Sequence, residues 1–176
     1  MNFPLSWIPS ENYKKIFFPL LTLTIILLVI LQFLNQPLVN PISPSGMVSF
    51  ELAGTTENAQ AIIASWDPNA QLAAAFGIGL DYLFLLIYGL TLSLGILMAS
   101  GKQGGKLEVA GIFISWGILV ASLLDAIENY ALWRILVGVT AEIYPRVAAF
   151  SATVKFFLIF VGIGFALVGW LWRKES

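Results

Sequence analysis

Four apolar runs, 16–34, 72–98, 107–133 and 147–172, divide the chain. Each is close to or above the ~20 residues that an α-helix needs to cross the hydrocarbon of a bilayer. In lipid no water can satisfy a free backbone N–H or C=O, so an open chain of this kind spans only as α-helices. Short polar breaks at 99–106 and 134–146 make sequential runs antiparallel neighbours. The expected fold is all-α: a polytopic integral membrane protein, a four-transmembrane-helix antiparallel bundle forming one domain over 1–176. Composition agrees, with 59% hydrophobic and 11% charged residues, against about a quarter charged in a soluble domain.

The first run follows a short segment with Pro4, Trp7 and Pro9, and a basic pair, Lys14 and Lys15. It is too long for the apolar core of a signal peptide, and no small-residue cleavage site follows it, so an uncleaved anchor is expected. Pro19 is expected in its first turn, where a missing amide hydrogen matters least. Segment 35–69 is the only sizeable loop. It carries Pro37, Pro41, Pro44 and Gly46, no Lys or Arg, and the acids Glu51, Glu57 and Asp67. Phe50, Ala53, Ile62, Ile63 and Trp66 give it short amphipathic helices, capped by Ser45 or Thr55, that lie in the interface or plug the mouth of the bundle.

Lys14, Lys15, Lys102, Lys106, Arg173 and Lys174 fall at one end of the spans, Arg134 and Arg146 at the other. Basic residues favour the cytoplasmic side, so both termini are expected in the cytoplasm and loop 35–69 outside it. A net charge of −1 provides no basic field for nucleic acid. With neither Cys nor His in the chain, disulfide scaffolds, thiol relays, imidazole-ligated metals and His-dependent triads are excluded. No cofactor or metal is implied. The Gly89-x-x-x-Ser93 and Gly111-x-x-x-Ser115 pairs permit close helix contact.

Polar groups inside the spans are few, and they are where binding or chemistry has to reside. Asp125, Glu128 and Asn129 sit at i, i+3, i+4 in the third span and share one broad face, which cannot look at lipid. Asp81 lies in the second span, Lys155 in the fourth and Gln32 in the first. At ~1.5 Å per residue, Gln32, Asp81, Asp125 and Lys155 lie roughly 26 to 31 Å from the basic anchors of their own spans, which puts them in one layer in the outer third of the membrane. A purely structural ion triad of Asp81, Asp125 and Lys155 is one reading. The acid surplus is the argument for another, since extra negative charge in low dielectric needs a proton, a cation or water. Glu51 is a possible lid residue and Lys155 a counter-ion. Tyr82, Tyr88 and Tyr130 are accessory candidates near the layer.

Three classes of function fit these residues. The first is a protein with an outward-opening, carboxylate-lined intramembrane pocket that binds or transports a cation, a proton, or an amphipathic, lipid-like molecule through its amine end. The second is a structural or assembly subunit, with partner membrane subunits or copies of itself around it. The third is a small lipid- or isoprenoid-modifying enzyme using Asp125 or Glu128 as acid and base, although no complete catalytic constellation is visible.

Overall fold

The protein is described here by a computed structural model covering residues 4–101 and 105–172. The anchors Lys102, Arg173 and Lys174 lie outside the described residues. Among those described, four helices are long and apolar enough to cross a membrane, and they form the expected antiparallel bundle. They are α1 (Tyr13–Asn35), α4 (Pro68–Ser100), α5 (Lys106–Leu136) and α6 (Ile143–Trp172). Between α1 and α4 the loop carries a 3-10 turn, Gln36–Leu38, and two short helices, α2 (Met47–Glu51) and α3 (Thr56–Ala64).

Local chemistry sets the boundaries. The Asp67 carboxylate accepts from the Ala70 amide at 2.7 Å, and Pro68 opens α4, so the helix starts before its apolar run. Thr55 caps α3 through Asn58 N. Ser45 does not cap α2, whose first turn follows Gly46. Gly46 has φ +59°, and a Cβ there would strike the Asn35 side chain, whose Oδ1 accepts from Met47 N at 2.7 Å. Pro19 requires a correction. A 3-10 turn at Ser10–Asn12 leads straight into α1 at Tyr13, so Pro19 lies inside the helix and leaves the Lys15 carbonyl without its amide partner.

Helices α4, α5 and α6 form the compact core, each packed on the other two, while α1 lies outside against α4. Small residues bring α4 and α5 together. Ser93 Oγ donates to Ser115 O at 3.2 Å and Ser115 Oγ to Ser93 O at 3.3 Å. Gly89 faces Ser122, and Gly111 faces Ser100. The two small-residue pairs anticipated from spacing therefore meet through their serines, while each glycine faces a serine outside the other pair. In α6, Gly162 admits Ile118 and Ile96, and Gly169 admits Ala99.

The loop plugs the bundle. Leu38, Phe50, Ala59, Ile62 and Trp66 are buried with Ala74, Ile78, Leu132 and Ala148. Trp66 Nε1 donates to Leu38 O at 2.9 Å, and its ring meets Phe50 edge-on. A second apolar cluster at the opposite end gathers Leu5, Ile8, Phe17 and Leu94.

Candidate intramembrane site

Two helical offsets organise the site. At ~100° per residue, Glu128 and Asn129 lie roughly 60° to one side and 40° to the other of Asp125 on α5. Glu128 therefore turns towards α6 and Asn129 towards α4, and each finds its own partner.

On the α6 side, Lys155 is buried and donates from Nζ to Asp125 Oδ1 and to Glu128 Oε1, both at 2.8 Å. Glu51 comes down from α2 to bring Oε2 within 3.9 Å of the same ammonium. The Tyr88 hydroxyl on α4 donates to Asp125 Oδ2 at 2.9 Å. On the α4 side, Asn129 Nδ2 donates to Asp81 Oδ2 at 2.6 Å.

The ion triad of Asp81, Asp125 and Lys155, one of the readings of the sequence, does not form with these members. Glu128 takes the place of Asp81, because i+3 spacing points it at α6 while Asp81 is held by an amide instead. Counting Glu51, three carboxyl groups share one ammonium, and Asp81 stands beside them as a fourth acid. Two of their oxygens, Glu51 Oε2 and Glu128 Oε2, are buried with no hydrogen-bond partner. Glu51 lies outside the spans, and its carboxyl is raised above the usual carboxylate range, first by burial and then by the neighbouring Asp125 charge, against the pull of Lys155.

Beside this cluster lies a cavity of about 460 Å³. Asp81, Asp125, Asn129, Lys155 and Tyr88 line it on one side, and Leu38, Met47 and Glu51 of the loop lie across its outer end. Most of its remaining wall is apolar, with Leu28 and Leu31 of α1, Phe84 of α4, and Phe156, Ile159 and Phe160 of α6, and Thr24, Gln32 and Asn35 of α1 add polar groups. Leu28 and Phe160 are 45% and 70% exposed, and α1 and α6 scarcely touch at this level. At the other end the Phe17 and Trp170 rings close to 6.4 Å. The cavity is thus flanked by exposed apolar side chains of α1 and α6, while the loop packs over the bundle's mouth.

Gln32 borders the cavity from α1. Tyr82 and Tyr130 do not enter it. Tyr82 donates to Ala126 O at 3.2 Å on an exposed face, and Tyr130 accepts from Arg134 Nη1 at 3.1 Å. Arg134 stacks over Tyr130, Trp133 and Tyr144 at the rim, and Arg146 pairs with Glu142 at 3.8 Å, so neither arginine relieves the acid surplus. The residues that sequence reasoning missed are the apolar walls on α1 and α6. Their Phe and Leu content reads as lipid contact, and no periodic signal separates a cavity wall from an outer face. Thr24, which shares a 2.9 Å hydrogen bond with Thr91 of α4, marks the inward side of α1 together with Gln32 and Asn35, which border the same cavity.

Comparison with protein-family models, with curated proteins and with solved structures finds no match for this chain.

Proposed function

We propose that the protein binds an amphipathic, lipid-like molecule that enters from the membrane between α1 and α6 and sets its polar end against the buried carboxyl cluster. The observation that carries this reading is the cavity: about 460 Å³, apolar over most of its wall, with its charged groups gathered at the Lys155 cluster and the outer end. Pockets that hold small molecules have this size and this division between apolar surface and a few placed polar groups. A bundle joined only by ion pairs needs no such space. The same reading keeps loop 35–69 on the extracytoplasmic side and both termini in the cytoplasm, since the exposed Lys14, Lys15 and Lys106 flank the end away from the loop.

The test is native mass spectrometry of protein released from its own membrane in neutral detergent, alongside Gly77→Phe. Gly77 lines the cavity, and a Cβ there meets nothing closer than Met47 Cε at 3.9 Å, so a ring at this position fills space rather than displacing the core. A retained lipid-sized molecule, lost in Gly77→Phe, is the expected result. A retained partner chain without any small molecule would sink this reading in favour of an assembly subunit.

A further inference from the structure

We infer that the polar end of the ligand is a protonated alkylamine, and that Asp81 accepts it together with Glu51. The inference rests on the cavity assigned above and concerns the chemistry of the head it holds.

The sign of the head follows from which groups are already engaged. Lys155 is the one cation on the cavity wall among the described residues, and two hydrogen bonds of 2.8 Å commit it to Asp125 and Glu128. An anionic head would have to displace a carboxylate from it, against four carboxyl groups in the same low-dielectric space. Asp125 is committed as well, with one oxygen on Lys155 and the other on the Tyr88 hydroxyl. Two acids on the wall retain capacity. Asp81 receives Asn129 on Oδ2, and its Oδ1 takes no hydrogen bond from any described residue. Glu51 Oε2 is buried, unpartnered, and has only the longer approach to Lys155. Both border the same cavity.

Such a site needs a donor that carries positive charge. A primary ammonium has three N–H donors and compensates one surplus carboxylate. It also arrives attached to a chain that the Leu28, Leu31, Phe84, Ile159 and Phe160 walls can cover. A metal ion fits less well: no group of three Asp or Glu side chains among the described residues is arranged to hold one, and the proposed entry faces hydrocarbon, where a hydrated ion is not delivered. Asn129 orients the acceptor, because its amide fixes one oxygen of Asp81 and leaves the other to the ligand.

The experiment compares three probes of equal chain length, dodecylamine, dodecanol and dodecanoate, binding to full-length protein in neutral maltoside micelles near pH 7. The expected order is amine first, alcohol second, carboxylate last. The amine should exceed the alcohol by about ten- to a hundredfold, the worth of a hydrogen bond to a charged group. In Asp81→Asn, where the Asn129 bond can persist, the amine should lose most of its advantage over the alcohol. Alcohol and amine binding equally in the wild type would overturn the amine assignment and leave the cavity reading intact. Carboxylate binding tightest would overturn it too, and would make the Lys155 ammonium the donor that holds the head. Binding of none of the three, or binding unaffected by Gly77→Phe, would remove the cavity reading itself. The wild-type ranking decides the question even if Asp81→Asn fails to fold.

Discussion

Replacing Lys155 by Met removes the single positive charge from a buried cluster and leaves its volume nearly unchanged. Asp125 and Glu128 then lose a partner at 2.8 Å each, and Glu51 loses its nearest cation. Breaking a buried ion pair from one side costs about 3 to 5 kcal/mol, because the remaining charge is stranded. For a chain of this length about 2 to 4 °C of melting midpoint follows each kcal/mol, so a fall of about 6 to 20 °C is expected. Tryptophan-fluorescence melting in detergent measures it. The geometry also ranks the rescues. Glu128 has no hydrogen bond left once the lysine is gone, since Oε2 had none to begin with; Asp125 keeps the Tyr88 hydroxyl. Lys155→Met/Glu128→Met should therefore recover most of the loss. Lys155→Met/Asp125→Leu should recover less, because it strands Tyr88 in turn. Lys155→Met melting within a degree or two of the wild type would mean that water screens the cluster, and the case for a low-dielectric site would fall with it.

Three further outcomes are expected. Glu51→Gln should flatten one component of the pH dependence. A carboxyl raised by burial holds a proton in the folded protein that the unfolded chain releases, so wild-type stability should fall, relative to the variant, as pH rises from the usual carboxylate range through the raised value. A melting difference independent of pH would show that Glu51 does not dock. Gly89→Val should cost about 1 to 3 kcal/mol as overpacking, because its Cβ meets Ser122 on α5. Gly79→Ala, with nothing within 4 Å, should be neutral or gain about 0.5 to 1 kcal/mol in helix propensity; equal losses for the two would undo the packing account. Finally, Gln60→Cys on α3 should react with an impermeant thiol reagent in intact cells while Ser6→Cys stays protected, and the opposite pattern would invert the proposed orientation.

The bundle was readable from run length alone, because lipid leaves the backbone one choice per span. The intramembrane polar residues stood out for the same reason: in apolar helices each is an exception with a cost. Their partners were harder to read. Axial height, counted at a fixed rise, placed Asp81, Asp125 and Lys155 together correctly, yet height does not say which way a side chain points. Azimuth does, and the i+3 and i+4 offsets of Glu128 and Asn129 already held the answer that one faces α6 and the other α4. Glu51 could not be placed by either measure, since its position depends on how Trp66 and Phe50 seat the loop. The apolar walls of the cavity were invisible in the sequence. The cavity exists because α1 and α6 stay apart, and a separation between elements leaves no trace in the residues of either.

The unequal attachment of α1 bears on kinetics. Helices α4, α5 and α6 lock to one another through glycine and serine contacts, whereas α1 joins the rest chiefly along α4, with the Thr24–Thr91 clasp partway along and the Phe17–Trp170 contact at one end. It resembles a door hung on α4 and latched at the bottom. A guest could then enter and leave by movement of this one helix while the acceptor groups on α4, α5 and α6 keep their geometry. On this hypothesis residence time and affinity are set by different parts of the molecule: in the Leu28→Cys/Phe160→Cys variant, bridging the two thiols with a bifunctional reagent would slow both arrival and departure of a bound probe relative to the unbridged variant while leaving its equilibrium constant nearly unmoved, and a large change in affinity with unchanged rates would show the door to be part of the seat.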